Sequence, residues 1–201
     1  MLFRSTRLIL RWLPITEIGI ESLRERTPMT PFPAPNRLHV WWARRPLVSA
    51  RAAILASLLP ADADHDKFTH LLGIHGDPAA SRRNIDLARR TGVRFEGKAY
   101  SYERAFKYSL SDEDREWFRR AAGLNDLSKV VMLDPTAGGG AIPFESARLG
   151  LSSYGNDLNP VAALIEQATV EWPARLGDGL IREFRALADN FLAIREKRLE
   201  P

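Results

Sequence analysis

Cysteine is missing from all 201 residues, so disulfides and thiolate metal ligands are excluded within the chain. That absence fits a reducing compartment. No apolar run reaches the roughly 18 residues that a membrane-spanning helix needs. The opening MLFRSTRLILRWLP is interrupted by Arg4, Arg7 and Arg11, which leaves no apolar stretch long enough for a secretory signal. A cytoplasmic protein with no membrane partner is expected. Lysine is absent from residues 1–60, which hold nine arginines and three acids, Glu17, Glu21 and Glu25, for a charge of +6. The other 141 residues therefore sum to −2 within a net charge of +4. Hydrophobic and charged contents of 45% and 27% belong to a globular protein.

An arginine-only block favours flat, bidentate partners such as phosphates, carboxylates or base edges. Internal Arg–Glu pairs with a solvated surface are the competing reading, and the sequence leaves both open. Residues 5–26 read as partly helical with a break at Pro14. Residues 27–38 carry four prolines and read as extended and irregular. From Pro46 an alanine-rich helix runs to Leu59, where Pro60 stops it. ADADHD at 61–66 is polar and loop-like. Short helices are expected over 79–91, 99–109 and 111–122, the last with a capping-box start at Ser111 to Asp114. Asn159-Pro160 opens a helix to about Val170 that ends near Pro173. Residues 178–199 form the longest helix, with Leu180, Ile181, Phe184, Leu187, Phe191, Leu192 and Ile194 largely along one face.

Residues 130–160 carry the chemistry. The apolar run Val130–Leu133 ends in Asp134-Pro135-Thr136, then come Gly138, Gly139 and Gly140, a helix to Gly150, and a second strand-like run ending in Asp157. A strand–glycine loop–helix–strand–acid unit grips an adenosine-containing cofactor. Glycines let the backbone approach the ligand and offer N–H groups at a helix N-terminus. The acid stands 23 residues after Asp134, close to the spacing of about 20 at which a carboxylate meets the ribose hydroxyls. No lysine follows the glycines, which argues against a triphosphate loop. The pattern is not GxGxxG either, which disfavours a dinucleotide and an oxidoreductase. Structural glycine turns are the bland alternative.

Two further segments carry a resemblance. Trp12-Leu13-Pro14, Glu17-Ile18-Gly19, Glu21-Ser22 and Glu25-Arg26, followed by His39 to Leu47 (HVWWARRPL) and Ser49 to Pro60, resemble the N-terminal domain of unknown function of large adenine-specific DNA methylases of bacteria and archaea. DPTAGGGAIPFE and GNDLNP look like the cofactor motifs of that family. The resemblance implies an α/β, Rossmann-like methyltransferase fold with S-adenosylmethionine as methyl donor and an adenine amino group in DNA as acceptor. It implies that Asp134, Pro135, Thr136, Gly138, Gly139 and Gly140 line the methionine side of the cofactor. Asp157 then holds the ribose, and Leu158 lies against the adenine. Amino-methyltransferases also use an Asn/Asp/Ser-Pro-Pro-aromatic tetrapeptide. None is present, so no catalytic residue is assigned. With only two convincing strands the fold is expected to be incomplete, an N-terminal portion finished by a downstream polypeptide. The expected organisation is an arginine- and tryptophan-rich segment at 1–60, a mainly helical insertion at 61–128, and the start of the cofactor domain at 129–201.

Trp41-Trp42 with Arg44-Arg45 has two readings. The tryptophans are expected to be packed, while Arg44 or Arg45 faces the cleft and meets nucleic acid. His65, His70 and His75 with Asp62, Asp64 and Asp66 invite a metal reading, but five-residue steps do not stack ligands on one helix face. A polar loop is preferred and no metal is expected. Tyr100, Tyr102, Phe106 and Tyr108 are expected on the apolar face of a helix.

Overall fold

Proline and carboxylate caps set most of the helices in the structure, a computed structural model that describes residues 6–27, 32–94 and 97–199. A 3-10 turn at Leu8–Leu10 precedes Pro14, and α1 (Ile15–Arg26) begins directly after that proline. Next comes α2 (Ala34–Leu38), which corrects the expectation of an extended segment over 27–38. Pro33 precedes α2 and Pro35 falls in its first turn, where a missing N–H is tolerated. Residues 28–31 of that segment lie outside the described residues. As expected, α3 (Leu47–Leu58) opens after Pro46.

The loop expected at 61–66 is shorter than anticipated. Asp64 accepts a hydrogen bond from the Lys67 N–H at 2.9 Å and starts α4 (His65–Leu71). Asp77 caps α5 (Pro78–Thr91) in the same way, and Gly92 ends it at φ +69°. The expected capping box of Ser111 and Asp114 opens α6 (Asp112–Ala121). The helix anticipated over 99–109 does not form; a 3-10 turn at Ala105–Lys107 is all that coils there. Buried Glu21 takes the Tyr102 hydroxyl at 2.9 Å and the Ala105 N–H at 3.1 Å. Arg24 lies 3.9 Å from the centre of the Tyr100 ring. These tertiary partners hold the segment open, so its aromatics are not a helix face.

The strands β1 (Val131–Asp134) and β2 (Ser152–Gly155), joined by α7 (Ala141–Arg148), pair in parallel with Val131 opposite Ser152 and Asp134 opposite Gly155. After β2 come α8 (Pro160–Glu166), a π-helical turn at Gln167–Glu171, α9 (Trp172–Leu176) and α10 (Asp178–Leu199). Pro173 does not end the helix as expected. The Trp172 N–H reaches back to the Gln167 carbonyl, and this wider turn accommodates a residue that cannot donate. Gly177, at φ +52°, makes the stop instead. The architecture is α/β: mainly helical, with a small parallel sheet of two strands among the described residues.

A helix apolar on every side belongs inside a protein, and α3 is that helix here. Leu47, Val48, Ala50, Ala52, Ile54, Leu55 and Ala56 are all buried. One core gathers Leu8 and Leu55 with Phe68, Phe118, Leu149 and Leu151, so residues from 1–60, 61–128 and 129–201 share it. Within this apolar setting Arg51 and Glu145 are 1% and 0% exposed and meet at 2.6 Å, tying α3 to α7. Arg148 also binds Glu145 at 2.6 Å and donates to the carbonyls of Phe106 and Tyr108. Among the described residues the sheet is covered on one side only: Val131, Leu133 and Tyr154 are exposed. The apolar stripe expected on α10 is present, but Phe184, Leu187 and Phe191 are each more than 60% exposed.

Glu145→Gln would strand the buried Arg51 charge and weaken the hold on half-buried Arg148, and should lower stability by about 3–5 kcal/mol. Chemical denaturation followed by far-ultraviolet circular dichroism measures this. A loss below about 1 kcal/mol would mean that the pair does not hold α3 against α7.

Candidate cofactor site

The glycine loop sits at the C-terminal ends of the two parallel strands, the edge at which α/β sheets place ligands. Backbone hydrogen bonds close the strand ends together. The Asn156 N–H donates to the Asp134 carbonyl at 2.9 Å, and the Ala137 N–H to the Asn156 carbonyl at 3.0 Å. Asp134 is 9% exposed and receives the Thr136 N–H at 3.2 Å. Pro135 and Thr136 are exposed, while Gly139 and Gly140 are buried. Gly138 and Gly140 adopt φ of +54° and +72°, a region costly for any residue with a Cβ. The left-handed Gly140 turns the chain straight into α7.

Asp157 lies across from this loop. Its Oδ2 accepts the Gly138 N–H at 2.8 Å and its Oδ1 accepts the Asn159 N–H at 2.8 Å. The Asn159 and Gly138 N–H groups hold the carboxyl below the usual aspartate range. Each oxygen keeps a lone pair, so a diol can still dock. Leu158 projects beyond, 99% exposed. Tertiary structure thus sets the loop from Asp134 to Gly140 against Asp157, with the Gly138 N–H as the direct link.

Sequence reasoning missed two neighbours of the loop. Trp41 lies on it: a methyl group on Gly138 would stand 2.8 Å from the Trp41 Nε1, and one on Gly139 would stand 3.0 Å from its Cβ. Glu166, from α8, packs behind it. A methyl on Gly155 would collide with the Glu166 Oε2, and one on Gly140 would stand 3.1 Å from its Cγ. The Glu166 Oε1 is buried with no hydrogen-bond partner among the described residues. Burial, reinforced by Asp134 and Asp157, pushes this carboxyl up to about 7. The one hint in the sequence is helical spacing, which puts 166 on the inward face with buried Ala162 and Ile165. Beside Glu166 and Asp157 a cavity of about 800 Å³ opens between β2, α7 and α8, bordered by Pro143, Tyr154, Gly155 and Val170.

The tryptophan and arginine pairs each split. Trp42 is 85% exposed, which corrects the expectation that both tryptophans are packed; only Trp41 finds a surface, on the glycine loop. Arg44 binds the buried Glu25 at 2.6 Å. The Glu25 carboxylate also accepts the Leu47 and Val48 N–H groups at 3.0 and 3.3 Å, capping α3 from a distance. Arg45 is exposed. The histidines are spread among aromatic partners: His65 stacks on Trp12 at 3.7 Å, and His70 meets the Tyr108 hydroxyl at 2.9 Å. No helix of the described residues is long and apolar enough to cross a membrane.

Residues 12–84 match a family model described as a protein of unknown function, DUF1156. The chain therefore carries a domain of unknown function over that span, which extends past Pro60 through α4 and into α5. Trp41, Arg44, Arg45 and Arg51 fall inside it; the glycine loop, Asp157 and Glu166 fall outside. No curated protein and no solved structure matches the chain.

Glu166 makes stability pH-dependent with a defined sign. Below the ordinary value of 4.5 the carboxyl is protonated whether folded or unfolded. Between that value and about 7 only the unfolded chain releases its proton, so stability falls as pH rises, and above that window the loss is complete. Glu166→Gln should therefore stabilise the fold at about pH 8 by on the order of 1 kcal/mol, partial solvent access being allowed for, and leave it unchanged at about pH 4. Denaturation midpoints at the two pH values report the difference. An equal shift at both would remove the carboxyl from this role.

Proposed function

We propose that the glycine loop and Asp157 bind S-adenosylmethionine, and that the chain supplies the donor half of a DNA adenine-N6 methyltransferase. The observation that carries the reading is Asp157, a half-exposed carboxylate at the end of β2, joined to Gly138 at 2.8 Å with lone pairs left for a ribose diol. Charge favours this cofactor over its competitors. Asp134, Asp157 and Glu166 are close enough to interact, and such a cluster repels the pyrophosphate of a dinucleotide. S-adenosylmethionine has no phosphate and carries a sulfonium and an ammonium, which the acids attract.

DNA as acceptor rests on the resemblance and on the arginine block, where exposed Trp42 and Arg45 offer a stacking plane and a phosphate contact. The 201 residues contain no Pro-Pro-aromatic tetrapeptide. The amine-positioning half is accordingly assigned to a further polypeptide, since methyl transfer needs acceptor and sulfonium aligned at near-attack distance. A second reading, a non-catalytic DNA-binding or assembly module, draws on the uncovered apolar stripe of α10, because such stripes mark docking surfaces.

Asp157→Ala should weaken binding of S-adenosylhomocysteine at least about tenfold, the equivalent of one charge-assisted hydrogen bond. Isothermal calorimetry tests this, and unchanged affinity would place the ribose elsewhere. For DNA, Arg45→Ala should flatten the logarithmic salt dependence of binding by about one phosphate equivalent. Arg44→Ala should instead lower thermal stability, since it breaks the Glu25 pair. Salt-independent binding, or no binding to duplex DNA, would favour internal Arg–Glu pairing over nucleic-acid contact.

A further inference from the structure

We infer that the N-terminal domain of unknown function holds a pocket for one unpaired base of a nucleic-acid strand, bordered by Phe32, Asn36, Trp41 and Trp42 with Arg26 beside them. The inference deepens the nucleic-acid part of the proposed function and does not depend on the cofactor. The pocket shares no residue with the cavity beside Asp157 and measures about 340 Å³. That volume lies at the lower end for ligand pockets and leaves room for a single nucleoside.

The lining sets the chemistry. Phe32, Val40 and Trp42 are 38%, 74% and 85% exposed, and half-buried Trp41 completes the border. Aromatic surface left open in one hollow marks a contact site, and every base has a flat face that stacks on such rings. Asn36 borders the same hollow, and its Oδ1 is buried without a hydrogen bond to any described residue. An amide oxygen left unpaired is costly. It calls for an N–H donor, which the edge of a base supplies. Charge then separates a strand from other occupants. Arg44 is committed to Glu25 at 2.6 Å, whereas Arg26 is exposed at the pocket. Exposed Arg37 and Arg45 flank Val40 to Trp42 in sequence. Cations that continue past the pocket suit the successive phosphates of a strand better than a free nucleotide. A duplex keeps its bases stacked and paired, so only an unpaired base can enter.

Fluorescence anisotropy tests this on the full chain, with labelled single-stranded DNA of about twelve nucleotides and a duplex of the same length. Circular dichroism establishes that each variant folds, and Trp42, being largely exposed, is replaceable without touching the core. The parent chain should bind the single strand more tightly than the duplex. Trp42→Ala should weaken the single strand by roughly five- to a hundredfold and leave the duplex nearly unchanged. Arg26→Ala should flatten the salt dependence of single-strand binding by about one phosphate equivalent. Folded Asn36→Leu should weaken the single strand by roughly two- to tenfold, the worth of one hydrogen bond; full affinity in that variant would remove the amide from the site. A parent chain that prefers duplex, or a Trp42→Ala variant that loses neither substrate or both equally, overturns the pocket while a duplex contact through Arg45 stands. Competition by adenosine monophosphate as strong as by the strand would overturn the choice of a strand. If the parent chain binds no nucleic acid at all, the nucleic-acid part of the proposed function falls with the pocket.

Discussion

The buried ion pair of Arg51 and Glu145 is the constraint on which the placement of the glycine loop depends. Two opposite charges with almost no solvent contact must find each other, because either one alone in that apolar setting is strongly unfavourable. Their pairing fixes α7 on α3, and α7 begins one residue after the last glycine of the loop. Arg148 adds a second contact to Glu145 and reaches the carbonyls of Phe106 and Tyr108. One carboxylate thereby joins the N-terminal helix, the intervening segment and the helix that follows the loop. Burial of this kind specifies an arrangement more than it strengthens the fold.

Buried acids play the same part elsewhere in the N-terminal domain. Glu25 accepts the first N–H groups of α3 while holding Arg44, and Glu21 holds Arg24, Tyr102 and the Ala105 N–H. Each is almost fully buried and each gathers donors from segments far apart in sequence. The arginine excess of residues 1–60 is thus partly spent inside the protein: Arg24, Arg44 and Arg51 all have carboxylate partners. Arg45 keeps its charge at the surface.

An unpartnered apolar surface marks the other end of the chain. The outer face of the sheet and the stripe of α10 leave Leu133, Tyr154, Phe184 and Phe191 largely open to solvent. A two-stranded sheet covered on one face is marginal by itself, and exposed patches of this extent mark contact surfaces. Coverage of this surface and completion of the methyl-acceptor half are compatible within the proposed function.

Local chemistry determined much of this protein in advance. The Asp77 cap of α5, the Ser111 capping box of α6, proline before α3, the run of Val and Leu into Asp134, and the glycines before α7 each act over a few residues, so their outcome is legible in the chain. The relation of Asp157 to the loop was legible for the same reason, since a strand–helix–strand unit has few ways to close. What tertiary structure alone decided involves partners that sequence distance hides. Glu21 and Arg24 draw residues 99–104 out of a helix, and the π-helical turn carries α8 past Pro173. Trp41 comes to rest on glycines nearly a hundred residues away, and Glu166 settles unpaired behind them. At the π-helical turn the adjustment is a local backbone bond; in the other cases a long-range contact outweighs a local preference of about 1 kcal/mol or less per residue, and only the folded chain brings those groups within reach.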